Sequence, residues 1–205
     1  MRIGILGTGH VARALAPAWT AAGHDVLLGS RVPGARSALG LPVATVRDAA
    51  VHAEVVVNAT PGTESLGLLG EIGEAVLAGK VIIDCAVGFR ADESLAHPEE
   101  PLGAQIQRAF PSARVVKTLA TVNAPVMADP TLVSGPSHLF VSGDDPEAKR
   151  LTVALLTDLG WAEDTLLDIG GISTAAAQEH AAYLFVAIAR HLGDWNFGLR
   201  VVPSR

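Results

Sequence analysis

Residues 2–12, with the sequence RIGILGTGHVA, decide the fold of this 205-residue chain. A short apolar strand, Arg2 to Leu6, runs directly into a glycine-rich loop, and an apolar helical pattern begins near His10. A Gly-x-Gly-x-x-Ala sequence is a weak signal alone, but between a strand and a helix it indicates a dinucleotide-binding turn. The alternative is that Gly7 and Gly9 only make a turn.

Each small residue of this loop meets a physical requirement of dinucleotide binding. Gly7 permits the tight turn, Gly9 lets the backbone approach a pyrophosphate, and Ala12 leaves room for close packing of strand and helix. The amide groups of His10 and Val11 then lie at the positive end of the helix, where they can bind phosphate. We therefore expect the loop to hold the pyrophosphate of a dinucleotide.

Beyond the loop, short strand-like runs alternate with longer helix-like runs. This alternation predicts βαβ units, and the Val-Val-Val centre of the run Glu54 to Ala59 is typical of a strand buried on both faces. We predict a Rossmann-type α/β fold, a doubly wound and mostly parallel sheet with a small C-terminal helical appendage. Residues 1–142 would form the nucleotide-binding domain, and residues 143–205 a helical part that completes a second-substrate pocket and a dimer interface.

The composition fits this class and argues against others. Hydrophobic residues make up 49% of the chain, charged residues 18% and aromatic residues 4%, as expected for a domain with a buried parallel sheet. The formal net charge is -6 and no basic stripe is present, which argues against nucleic-acid binding. Neither a secretory leader nor an apolar run of about 20 residues is seen, so we expect a cytoplasmic protein without membrane contact.

The end of the second strand indicates which dinucleotide is bound. A site that prefers NAD(H) places a carboxylate there for the ribose hydroxyls, but this strand ends in Gly29-Ser30-Arg31, and Asp25 lies at its other end. Ser30 can donate a hydrogen bond, and the Arg31 guanidinium can pair with a 2′-phosphate. Arg36 would add a second positive charge. The residues favour NADP(H), with an ordinary surface arginine as the alternative.

The sequence lacks the residue patterns that several kinds of catalysis require. The only tyrosine, Tyr183, has no lysine four positions later, and the histidine spacings do not support a metal site. Glu179, His180 and Tyr183 cluster at helical spacing. They could act as acid, base or substrate ligands, or they could simply form the polar face of a packed helix. The single cysteine, Cys85, lies in an apolar run that predicts a buried, unreactive thiol. We expect no catalytic side chain and no metal, only hydride transfer between stacked rings.

With these residues in view, the chain resembles the family of coenzyme F420-dependent NADP oxidoreductases from Met1 almost to its end. The matching stretches are Gly7-Thr8-Gly9-His10-Val11, Gly29-Ser30-Arg31, Ala59-Thr60-Pro61, Lys80-Val81-Ile82-Ile83, Val115-Val116-Lys117-Thr118-Leu119, Gly143-Asp144-Asp145 and Asn196-Phe197-Gly198-Leu199-Arg200-Val201. The resemblance implies an NADP-binding Rossmann domain, often dimeric, in which hydride passes directly between nicotinamide and a deazaflavin.

The resemblance also implies roles for individual residues. Thr8 to Val11 would hold the pyrophosphate, and Ser30 and Arg31 the 2′-phosphate. The residues expected at the ribose and nicotinamide are Ala59, Thr60, Pro61, Ala86 and Val87, with Asn123 and Ala124 near the ring. Archaeal members have Leu-His-Thr in the deazaflavin pocket where this chain has Leu119-Ala120-Thr121, which removes a polar group.

The hydride acceptor is left open by these observations. We expect coenzyme F420 or another planar ring, packed near Ala120, Asn123, Trp195 and Phe197, although the two aromatic residues could equally anchor a core or a dimer. An NADPH-dependent reductase of an imine, quinone or metal chelate is the second hypothesis, and a non-catalytic NADP(H) sensor is the third. The stretch Ser173 to Leu192 is apolar nearly all around, which predicts burial against a second subunit in a homodimer.

Overall fold

The computed structural model of the protein describes residues 1–35 and 40–204. Its strands are β1 (Arg2–Leu6), β2 (Asp25–Ser30), β3 (Val43–Thr45), β4 (Val55–Asn58), β5 (Val81–Asp84), β6 (Arg114–Lys117), β7 (Leu139–Gly143) and β8 (Leu166–Gly170). Its α-helices are α1 (His10–Ala21), α2 (Val46–His52), α3 (Gly62–Ile72), α4 (Glu74–Leu77), α5 (Leu102–Ala109), α6 (Ala124–Ala128), α7 (Pro146–Thr157) and α8 (Ala175–Leu192).

The strands of the described residues form one sheet in the order β3-β2-β1-β4-β5-β6-β7-β8. Neighbouring strands from β3 to β6 are parallel, β7 is antiparallel to β6, and β8 is parallel to β7. The first six strands therefore have the order of a Rossmann fold. The predicted doubly wound, mostly parallel α/β architecture is confirmed.

The core has two layers, one on each face of the sheet. In β4, Val55 and Val57 belong to the cluster that packs on α1, α6 and α7, whereas Val56 belongs to the cluster on α2, α3 and α5. All three valines are completely buried, as their run in the sequence predicts. Trp19 and Trp161 are buried as well, and their indole N–H groups donate to the carbonyls of Leu155 (2.9 Å) and Met127 (3.0 Å).

Residues 143–205 contain more than the predicted helices. The proposed boundary between residues 142 and 143 lies within β7, and β8 adds a strand to the edge of the same sheet. The sequence pattern of β8, Leu-Leu-Asp-Ile-Gly, is weak because the strand is only half-buried and carries Asp168 on its exposed side. The division into two domains stays a prediction.

Helix α8 packs on the sheet with one face only. Its buried residues include Gln178, Glu179 and Ala182, while Leu184 on the opposite face is 55% exposed. The burial that the sequence predicts on all sides is thus only partly achieved within a single subunit. Within residues 1–35 and 40–204, none of the helices combines the length and hydropathy needed to cross a bilayer.

Candidate functional site

A cavity of about 460 Å³ opens at the carboxyl ends of β1, β2, β4 and β5. Strand β1 lies between β2 and β4, so the chain winds away from it in both directions, and ligands of such sheets bind at this switch point. The predicted residues that line the cavity are Gly7, Thr8, Gly9, His10, Val11, Ser30, Arg31, Ala59, Thr60, Pro61, Ala86 and Val87. The topology therefore brings residues of four strand ends to one place.

The glycine loop is built so that its backbone faces the cavity. Gly7 has a φ of 111°, and a Cβ there would lie 2.7 Å from the carbonyl oxygen of Ala59. Gly9, in contrast, has ordinary extended dihedral angles, and a Cβ there would meet nothing within 4 Å. Gly7 is therefore required by the turn, whereas Gly9 leaves free space in the cavity.

The amino end of α1 points into this free space. Gly9 is its N-cap residue, and no side chain of the described part of the chain caps it there. The first amides of a helix lack intrahelical partners and carry partial positive charge, so they can bind an anion in the cavity. Arg13 steadies the loop from behind, since its Nε donates to the carbonyl of Thr8 at 3.0 Å. The loop can hold a phosphate group of the kind that the sequence predicts.

The end of β2 carries a cation at the mouth of the cavity. Ser30 is buried, and its hydroxyl accepts a hydrogen bond from the amide of Val32 (3.1 Å). The Arg31 side chain is 66% exposed and pairs with the Glu64 carboxylate on α3, 2.9 Å away. Glu64 also lines the cavity and was not among the predicted residues. Arg36, the second predicted cation, lies outside the described residues.

The walls at the ends of β4 and β5 are closely packed. A Cβ on Gly62 would lie 2.4 Å from the amide nitrogen of Gly88, so the two segments touch through their backbones. Thr60 donates from its hydroxyl to Asn58 Oδ1 (2.6 Å) and contacts the Ser65 hydroxyl (2.9 Å). This side of the cavity is therefore closely packed and bonded internally by buried side chains.

Cys85 lies in this wall and has the character predicted for it. The residue is buried, and burial, reinforced by the charge of Asp84, raises the pKa of its thiol far above the usual range. Since only the thiolate is a strong nucleophile, the thiol is unreactive at neutral pH. Cys85 contributes to the shape of the cavity and carries no chemistry.

Behind the wall, Lys117 forms a completely buried ion cluster with Asp84 and Glu179. Its Nζ lies 2.9 Å from Asp84 Oδ2 and 3.0 Å from Glu179 Oε1. Burial by itself would lower the pKa of Lys117, but the two carboxylates outweigh it and raise that pKa above its ordinary value. Sequence reasoning missed this cluster. The available signal was a lysine and an aspartate that each end an apolar strand of a parallel sheet.

The predicted cluster of Glu179, His180 and Tyr183 on α8 does not form a site. Glu179 points inward to Lys117, while the Tyr183 hydroxyl accepts a hydrogen bond from the amide of Leu95 (2.8 Å). His180 is exposed and contacts the carbonyl of Ala176 on its own helix. Among residues 1–35 and 40–204, no group of three metal-ligating side chains is present either.

The residues predicted for the ring and the acceptor lie outside the cavity lining. They are Ala120, Asn123, Ala124, Trp195 and Phe197. Asn123 caps α6 and donates to Asn196 Oδ1 (3.3 Å), which ties the loop after β6 to the C-terminal tail. Phe197 stacks on Phe185 of α8, with ring centroids 4.6 Å apart. Their contact with a ligand stays a prediction.

Comparisons with known proteins agree with this geometry. Residues 2–88 match the family described as NADP oxidoreductase, coenzyme F420-dependent. A crystal structure from Arthrobacter sp. FB24, provisionally named an F420-dependent NADP-reductase, has a TM-score of 0.91 and 37% identity, and the alignment covers 99% of this chain and 100% of that one.

Two curated relatives are longer proteins. Metalloreductase STEAP3 of Rattus norvegicus is 29% identical over 181 residues, which cover 87% of this chain. Pyrroline-5-carboxylate reductase 2 of Pongo abelii is 24% identical over 201 residues, which cover 92%. The chain spans 36% of the length of the first and 58% of the second.

Proposed function

The chain belongs to the family of coenzyme F420-dependent NADP oxidoreductases, and from this we propose that it binds NADP(H) in the cavity at the glycine loop and exchanges hydride with a planar acceptor, coenzyme F420 first among them. The observation that carries the proposal is that an open glycine loop and a cation at the end of β2, Arg31, line the same cavity. The loop suits a pyrophosphate and the cation suits a 2′-phosphate.

The residues of the chain would act by binding and orientation. The amides of Gly9, His10 and Val11 would receive the pyrophosphate, and Arg31 would exchange Glu64 for the 2′-phosphate. The dinucleotide, when bound, supplies or accepts the hydride. The closely packed wall at Thr60 and Ala86 would hold the reacting end still. The proton that joins the acceptor together with the hydride would come from solvent, so no acid or base from the protein would be required.

Stopped-flow absorbance with NADPH and purified coenzyme F420 tests the acceptor. We expect hydride transfer in a single turnover when the protein is in excess over both ligands. A protein that binds NADPH in a separate titration but transfers no hydride at saturating F420 would remove this coenzyme from the proposal. Failure to bind NADPH at all would contradict the cofactor assignment itself.

A different acceptor is the second candidate. The similarity to a metalloreductase and to a pyrroline-5-carboxylate reductase favours it, because both relatives align with nearly the whole chain. Ala120, in place of the histidine of archaeal members, also leaves the loop after β6 less polar. A panel of ferric chelates, cyclic imines and quinones, assayed with NADPH, distinguishes this candidate from F420. Selective binding of NADP(H) without turnover of any acceptor would indicate a sensor.

We also propose that the protein is a homodimer that covers the outer face of α8. Leu184, exposed by 55%, lies on this face opposite the buried Gln178 and Ala182, and covering it would remove apolar surface from water. Size-exclusion chromatography with light scattering should give twice the mass of one chain. Leu184→Glu should shift the protein toward the monomer, whereas Val51→Glu, at an equally exposed valine on α2, should not. A monomeric wild-type protein would refute the proposal.

A further inference from the structure

We propose that Lys117 is a positioning residue for one half of the cofactor site, the wall at the ends of β4 and β5, which it holds through Asp84 and Ala86. This inference rests on the proposed binding of NADP(H). Lys117 itself does not line the cavity, and neither does Glu179 on α8. The cluster can therefore act on a ligand only through the residues that it holds.

The lysine ammonium group has its three donors fully used. Nζ bonds Asp84 Oδ2 at 2.9 Å, Glu179 Oε1 at 3.0 Å and, at short range, the carbonyl oxygen of Ala86. An ammonium group has three hydrogens and no acceptor, so this set satisfies it completely. Because Lys117 is completely buried, water cannot replace any of the three partners. The Ala86 carbonyl is thereby pinned to the ion cluster.

Asp84 extends these contacts to the second segment of the wall. Its Oδ1 accepts hydrogen bonds from Asn58 Nδ2 (2.8 Å) and from the amide of Ala86 (3.1 Å). The side-chain oxygen of Asn58 then accepts from the hydroxyl of Thr60 at 2.6 Å. A continuous set of buried hydrogen bonds thus links Lys117 to both Ala86 and Thr60, two residues that line the cavity.

Stability alone does not account for such a cluster. Removing charges from water is costly, and buried ion pairs can often be replaced by apolar side chains without loss of stability. Here the parts that the cluster holds, Ala86 and Thr60, lie at a ligand cavity, and we infer that the cluster fixes their conformation. The raised pKa of Lys117 keeps the cation charged throughout the neutral range.

The other half of the cavity is held by different contacts. The glycine loop is steadied by Arg13 at Thr8, and Ser30 is bonded to the amide of Val32. Neither contact involves Lys117 or its two carboxylates. The cluster should therefore affect the nicotinamide half of a bound dinucleotide and leave the adenosine half unaffected.

The experiment compares a whole ligand with its half in the full-length protein. Isothermal titration calorimetry with NADP+ and with adenosine 2′,5′-bisphosphate is done on the wild type and on Lys117→Met. We expect the dissociation constant of NADP+ to rise on the order of tenfold, a usual size for breaking a buried network. The constant of the bisphosphate, which lacks the nicotinamide half, should stay within about twofold of wild type. A general loss of structure would weaken both ligands.

Two further variants keep the outcome decisive. Lys149→Met removes a lysine that also pairs with an aspartate, Asp168 at 2.7 Å, but outside the cavity lining, and should change neither ligand. If Lys117→Met does not fold, Glu179→Gln is used as the test variant. It removes one negative charge from the cluster, but its amide oxygen can still accept the hydrogen bond from the amide of Leu102 (3.0 Å). Equal weakening of both ligands, or weakening of neither, overturns the proposal. Absence of binding by the wild type would instead refute the proposed function.

Discussion

Replacing Gly9 with alanine is expected to remove most NADPH binding and to lower the stability of the fold by no more than about 1 kcal/mol, the cost of alanine at a helix N-cap. The backbone of Gly9 is extended, with φ −79° and ψ −165°, and a Cβ there meets nothing within 4 Å. The new methyl group therefore causes no clash within the fold but occupies the space that a pyrophosphate needs to reach the amides. Overpacking of this kind costs about 1 to 3 kcal/mol, or about 5- to 150-fold in the dissociation constant.

A fluorescence titration with NADPH and a thermal unfolding curve together measure this result. Gly67→Ala is the control for binding, since its methyl group on α3 also meets nothing within 4 Å but lies outside the cavity lining. Its unfolding temperature should stay the same or rise slightly, because alanine favours a helix interior. Gly7→Ala should behave in the opposite way, because its φ of 111° and its approach to Ala59 make any side chain there destabilising. Wild-type affinity in Gly9→Ala would show that the pyrophosphate does not lie on this loop.

The fold could be predicted in most of its parts because its strands bury both faces. The strands β1, β4 and β5 are continuous apolar runs, which can be recognised in the sequence without knowing which strands they pair with. The glycine loop marks the first strand–loop–helix unit. Strand β8 was missed because an edge strand is only half-buried and its pattern is correspondingly weak. The break between α3 and α4 at Gly73, where φ is 87°, was also missed, because the apolar pattern continues across it.

Some residues of the site could likewise be predicted from the sequence and others could not. Residues next to a strand end, such as Ser30, Thr60 and Ala86, could be predicted because parallel strands bring their carboxyl ends to one edge. Glu64 and Glu179 could not, because both lie on helices and how a helix packs against the sheet is a tertiary property. The sequence contains the charges but not the pairings.

Arg31→Ala is the second change with a large expected effect, and it acts on NADPH far more than on NADH. The Arg31 guanidinium is paired with Glu64 at 2.9 Å, but the pair is exposed, and such surface pairs contribute about 0 to 1 kcal/mol. A charge-assisted bond to a 2′-phosphate contributes about 1.5 to 3 kcal/mol, so the phosphate should displace the carboxylate. Removing the guanidinium should raise the dissociation constant of NADPH about 10- to 150-fold.

The comparison of two cofactors makes this prediction specific to the 2′-phosphate. NADH lacks that group, so its dissociation constant in Arg31→Ala should stay within about twofold of wild type. Arg108→Ala is the control, because Arg108 is also an exposed arginine paired with a glutamate, Glu100 at 2.6 Å, and lies outside the cavity lining. It should change neither cofactor. Equal losses for NADPH and NADH in Arg31→Ala would show that Arg31 contacts a part common to both, and the preference for NADP(H) would then need another source.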